Sequence, residues 1–248
     1  MRLHRLRFQL WCLVVRARLR RHGMALRVEA AGRPCAFGLP RLELTTGARG
    51  GTLTLRLGEH VHLGRAMVLE VLTGADATLA CGTATRFGAY GRVQLLGGTI
   101  SLGEAVDVRD LCLLKARGTI DVGDRVVLSR AVNVHATERV TIGAHAGIGE
   151  RTTIIDSDHA ADGSATPHLE QPLLVAPVEV GANVNVGANA VIVRGARIGP
   201  DAVVAAGSVV TAGEHPGGWL LAGAPAKPRR ALQEEQEFPG SRSTVPRP

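Results

Sequence analysis

Aromatic side chains are scarce, with Trp, Tyr and Phe together making up 3% of 248 residues. Sandwiches and doubly wound cores of this size usually fill space with larger rings, so the composition argues against both. Cysteine is sparse too. Cys12, Cys35, Cys81 and Cys112 are scattered and form no C-x-x-C pair, which gives neither a disulfide framework nor zinc-site spacing and fits a reduced, cytoplasmic setting. No apolar run is long enough to cross a bilayer, since Phe8–Val15 is bounded by arginines on both sides and lacks the cleavage site of a signal peptide. Acidic residues are missing from 1–27, a segment with eight arginines, which leaves 21 of the 29 basic side chains to balance all 22 acidic ones elsewhere. The net charge of +7 therefore belongs to that segment. A balanced body without a basic stripe or interleaved stacking aromatics argues against a nucleic-acid partner.

What is abundant is small and aliphatic: 45% hydrophobic residues and 31 glycines. Aliphatic residues recur with a strict spacing of six at Val180, Val186, Ile192, Ile198, Val204 and Val210, and small ones follow four places later at Val184, Ala190, Ala196, Ala202 and Ser208. The same grammar appears as Leu102, Val108 and Leu114, then Val122, Leu128 and Val134, then Ile142, Ile148 and Ile154, each triplet starting 20 residues after the last. Three short strands per turn make a prism in which each coil buries its aliphatic residues beneath the next. An all-β solenoid is expected over 44–214, with degenerate first coils around Leu53–Leu63 and Leu79–Cys81. Gly103, Gly123, Gly143, Gly149, Gly181, Gly187 and Gly199 follow aliphatic positions, where positive φ at a tight corner is expected. Residues 1–27 read as a basic amphipathic helix. It either lies on an anionic membrane through residues 1–23 or packs on the body with its arginines in water.

The sequence resembles the hexapeptide-repeat acyltransferases over roughly residues 100–230, and most closely their sugar O-acetyltransferase and xenobiotic acetyltransferase branch. The motifs that carry this are Asp158-His159 through Asp162-Gly163-Ser164 to Pro167, the restart at Pro177-Val-Glu-Val-Gly181, Ala206-Gly207-Ser208-Val-Val-Thr211, and Ala222-Gly223-Ala-Pro225-Ala226-Lys227. The resemblance implies a left-handed coil, a homotrimer, acetyl-CoA as co-substrate, a hydroxyl of a sugar or glycan as acceptor, and a site between neighbouring subunits. It places small residues along the pantetheine at Ala188, Ala206, Gly207 and Ser208, with Thr211 near the far end, and phosphate-binding cations at Lys227 and Arg230 within a C-terminal segment, 215–248.

His159 falls where the repeat stops and an irregular stretch, 160–177, begins, and loops of that length inside a regular solenoid usually serve a purpose. Imidazole suits removal of a hydroxyl proton at neutral pH, so His159 is the candidate general base. Asp156 and Asp158 are near enough in sequence to orient its ring. Asn133, one coil earlier, is the candidate acceptor ligand, its alternative being a bond to its own corner. His135, His145 and His168 lack such context. The chain departs from the family at Asn185, where a tryptophan is common, and at Ala212, where a lysine often follows the threonine. Two rival readings stay open. One is a zinc enzyme like the γ-class carbonic anhydrases, for which His135, His145 and His159 are numerous enough although no metal is expected; the other is a catalytically silent trimeric scaffold.

Overall fold

The aliphatic residues spaced six apart are the ones that face inward: Val180, Val186, Ile192, Ile198, Val204 and Val210 are all buried, as are the three earlier triplets and the small residues between them. In the computed structural model, which describes residues 2–31, 35–36 and 38–232, the chain winds as a parallel β-solenoid, the expected fold class. Each coil gives one strand to each of three sides, and the described residues form eight complete coils and the start of a ninth. Coil 1 comprises Ala25–Ala30, Cys35–Ala36 and Arg41–Thr45, and coil 6 comprises Arg139–Ile142, Gly147–Ile148 and Thr153–Ile155. Coil 7 runs through Val178–Val180, Asn185–Val186 and Val191–Ile192, and coil 8 through Ala196–Ile198, Val203–Val204 and Val209–Val210. Like residues stack on like, for example Ile120 beside Val140 and Ile142 beside Val180.

The glycines do a different job from the one expected. At the corners the positive φ falls two residues later, on non-glycine residues such as Arg125 (55°), His145 (63°) and Asp201 (59°). The glycines are needed because the next coil passes so close. A Cβ on Gly123 would stand 2.6 Å from the Ala144 nitrogen, and one on Gly181 the same distance from that of Pro200.

The solenoid also begins earlier than residue 44. The helix spans Arg2–Arg20, short of residue 27, and is closed by Gly23 at φ 74°, with Gly23 N–H donating to Arg20 O and Met24 N–H to Leu19 O. The strand Ala25–Ala30 then pairs directly with Thr52–Leu57. Phe8, Trp11, Val15 and Leu19, spaced at three and four residues, turn one helix face into the core. The helix touches the first two strands of coil 1, while Trp11 Nε1 donates to Pro40 O (2.7 Å) and Arg18 to Leu42 O (2.9 Å). It thus lies across the open end of the prism, which satisfies the packing half of the sequence expectation.

At the other end, Gly213–His215 and Trp219–Gly223 extend the first and second sides beyond residue 214. Ala226–Ala231 folds back antiparallel and closes the second side. Residues 233–248 of the expected C-terminal segment lie outside the described residues, as does the side chain of Cys35.

Candidate active site

One corner of the solenoid is interrupted. After Ile155 the chain should turn from the third side to the first, but it leaves as an arm in which Ser157–His159 pairs antiparallel with Leu173–Val175 and a single 3-10 turn, His168–Glu170, lies between. It re-enters at Ala176, whose N–H donates to Asp156 O (3.0 Å). The irregular stretch expected over 160–177 is therefore an ordered arm that starts at Ser157. Gln171 is buried and knits it, accepting from Asp162 N–H (3.2 Å) and donating to Thr166 O (2.9 Å). Leu169, Leu173 and Leu174 stay exposed on its surface.

Asp156 is the pin at the base of this arm. It is fully buried; Oδ1 accepts from Thr137 N–H (2.7 Å), and Oδ2 from Glu138 N–H (2.7 Å) and Arg139 N–H (2.8 Å). Thr137 Oγ1 donates to Ser157 Oγ (2.9 Å) beside it. Both carboxylate oxygens are thus committed to the corner of coil 5, and Asp156 holds the arm rather than the His159 ring. A buried carboxylate must find donors, and the three free N–H groups of a sharp corner supply them. His159 and Asp158 are exposed at the end of the arm strand. Among the described residues no hydrogen bond reaches the His159 ring.

Asn133 points outward from the third side, in register with Thr153. His135, two residues on, lies on the same outer face opposite Ile155 and so closer along the ladder to the arm. Burial lowers its pKa, helped by Lys115 and Arg117 and opposed by Asp156. The signal for it was available: it shares the period-two outward face of Asn133 in the coil that the arm crosses. His145 sits exposed at another corner, so His135, His145 and His159 do not converge within the chain, and among the described residues no group of three His, Cys, Asp or Glu side chains is placed to hold a metal.

The residues expected along acetyl-CoA gather at a second corner, between the second and third sides of coils 7 and 8. Gly207 N–H donates to Ala188 O (2.9 Å), and Ala206 and Gly207 are exposed. Gly207 has φ 70° and open space where a side chain would stand, so the corner offers bare backbone. Ser208 differs from expectation: it faces inward, and its Oγ accepts from Gly223 N–H (3.2 Å). The hairpin beneath this corner presents Lys227, with Arg230 partly covered further along the same strand. Arg229, absent from the sequence reading, donates to Ala222 O (3.2 Å) and braces the hairpin turn. Thr211 lies at the far edge of the third side, on the arm's corner, where its carbonyl is 2.8 Å from His215 Nε2.

The arm's corner and the bare-backbone corner are opposite edges of the third side. About six residues of extended chain separate them, roughly 18 Å. His159 and the pair Ala206 and Gly207 thus belong to different corners of the chain.

Coil geometry and repeat together define a hexapeptide-repeat β-solenoid. A family model for the hexapeptide repeat of succinyl-transferase matches residues 177–212, which are coils 7 and 8. No curated protein matches the chain by sequence. Among solved structures, it is similar to a hexapeptide-repeat-containing acetyltransferase of Vibrio cholerae O1 biovar eltor complexed with acetyl-CoA: identity is 27%, coverage 54% of this chain and 69% of that one, and the TM-score 0.44. A maltose O-acetyltransferase from Clostridium difficile shares 24% identity over 54% of this chain and 60% of its own, with a TM-score of 0.39. The polySia-specific acetyltransferase NeuO covers 88% of this chain and 91% of its own at 15% identity and a TM-score of 0.48.

Proposed function

We propose that the protein transfers an acetyl group from acetyl-CoA to a hydroxyl of a sugar or glycan intermediate, at a site completed by a neighbouring copy of the chain in a homotrimer. The observation that carries this reading is the break in the solenoid at Asp156, which offers an exposed imidazole at one corner while bare backbone waits at the opposite corner. A head-to-tail ring of copies sets the first corner of each against the second corner of the next. The resemblance of residues 100–230 to hexapeptide-repeat acyltransferases supports the donor.

In this reading His159 takes the proton from the acceptor hydroxyl as its oxygen attacks the thioester carbonyl. The tetrahedral intermediate collapses by breaking the C–S bond, and the imidazolium returns the proton to the departing thiolate. The products are the O-acetyl ester and free CoA. Ala188, Ala206 and Gly207 let the pantetheine approach the backbone, and Lys227 and Arg230 supply positive charge for its phosphates. Asn133 faces the acceptor from the third side. Ser208, turned inward, shapes the corner without a side-chain contact to the donor, and Thr211 stands near the far end of the pantetheine.

Thiol release from acetyl-CoA, screened against a panel of sugars and hydroxylated compounds, tests the reading. His159→Ala is expected to stay folded and lose roughly a hundredfold or more in turnover. Unchanged release in that variant removes His159 from the reaction, and stoichiometric zinc tied to activity favours the metal-dependent alternative.

A further inference from the structure

The N-terminal helix has a second apolar face that the solenoid does not cover. Opposite the buried Phe8, Trp11, Val15 and Leu19, it exposes Leu6 (54%), Leu10 (52%), Leu13 (57%) and Val14 (59%). Leu6, Leu10 and Leu13 recur at four and three residues, and Ala17 continues the line, so they form one stripe. By the same helical periodicity Arg7 borders it on one side and Arg16 and Arg20 on the other, while Arg18 turns toward the body to reach Leu42 O. No acidic residue occurs before Glu29.

We propose that this outer stripe docks the protein in the plane of an anionic lipid membrane and stands the solenoid on its N-terminal end. The chemistry fits that occupant. Leucines flanked on both sides by guanidinium groups match the boundary between acyl chains and negatively charged headgroups. A second copy of the same helix is disfavoured, because its arginines meet like charge with no carboxylate to pair with. The helix cannot be a crossing segment, since no described helix is long and apolar enough to span a membrane. It is also not free to insert alone, because its inner face closes the prism.

The orientation fixes the height of the arm. The helix lies on coil 1 and the arm leaves coil 6, five coil spacings further on, or roughly 24 Å at about 4.8 Å per coil. The helix adds roughly 10 Å. The arm therefore stands about 35 Å from the docking face. If the function proposed above holds, the acceptor hydroxyl lies on an extended glycan that projects this far from its lipid anchor, or on a soluble molecule, and not on a sugar at the headgroup layer.

Flotation of the full-length protein with phosphatidylcholine vesicles, with and without phosphatidylglycerol, tests the docking. Binding is expected only with phosphatidylglycerol, weakening as salt rises. Leu10→Gln with Leu13→Gln should weaken it about tenfold or more while leaving the melting curve and thiol release with soluble acceptors unchanged. The proposal is overturned if the wild type does not float, or if the double variant floats equally well. It is also overturned if the variant alters only the oligomer mass, which assigns the stripe to a second copy. Loss of acetyl transfer from a preparation that still floats would count against the enzymatic reading alone.

Discussion

Replacing Asp156 with alanine should loosen one corner of the solenoid and leave the rest standing. The carboxylate is fully buried and receives three backbone N–H groups at 2.7, 2.7 and 2.8 Å. Hydrogen bonds to a charged group contribute about 1.5–3 kcal/mol each, but three sharing one carboxylate are not additive. A loss of about 3–5 kcal/mol is the reasonable sum, because the substitution removes three charge-assisted hydrogen bonds at once from a part-buried corner. Coils of a solenoid touch only their neighbours, so this cost should appear locally rather than as a shift of one global transition. Native-state hydrogen exchange reads it residue by residue. The amides of Thr137, Glu138 and Arg139 should lose on the order of a hundred- to thousandfold in protection. Those of Leu69 and Val71, in coil 2, should not change. Because the same carboxylate roots the arm, turnover should fall with the His159 imidazole still present. Unchanged exchange at 137–139 refutes the anchoring role, and equal losses in coil 2 refute its locality.

Two further outcomes follow from the corner and ladder chemistry. Gly207→Leu should fold normally, because Leu111 already occupies an equivalent corner conformation at φ 63° and nothing lies within 4 Å of the added Cβ. It should raise the KM for acetyl-CoA about tenfold or more by filling the donor's path, a result read by steady-state thiol release. His135 has a pKa below its usual 6.5, mainly from burial, so the unfolded chain takes up a proton first as pH falls. Its neutral form supports the fold above that value, and this support is lost as pH drops below it. His135→Gln should flatten the fall of the urea midpoint as pH drops below about 6.5, and parallel midpoints in both proteins would contradict that assignment.

The later coils are plain in the sequence and the earlier ones show only as degenerate repeats, and strand pairing explains why. Val180 stacks beside Ile198, Ile120 beside Val140, Leu79 beside Ile100 and Leu53 beside Ala77, separations of 18, 20, 21 and 24 residues. Only an 18-residue coil is three unbroken hexads, so the repeat fades toward the N-terminus as corners lengthen, and the family match is confined to 177–212. Ala25–Ala30 is the extreme case, with Ala25 beside Thr52, and the six-residue spacing therefore points to a start near 44 rather than at Ala25. Of the site, the arm and His159 could be read as a break in the period. The role of Asp156 could not, since its partners are backbone groups 17–19 residues away that no side-chain pattern announces. The division of the helix into a buried and an exposed apolar face was likewise hidden, because Phe8–Val15 reads as one run until the prism selects a side.

The central claim is that the arm of one copy works on a donor held by the next. Co-expression of His159→Ala with Gly207→Leu tests it at acetyl-CoA well below the wild-type KM, since there each alone is expected to be strongly impaired and a mixed trimer contains one interface with both groups intact. Random mixing at equal amounts should restore about one quarter of wild-type thiol release. Activity no higher than that of the separate variants would contradict a shared site.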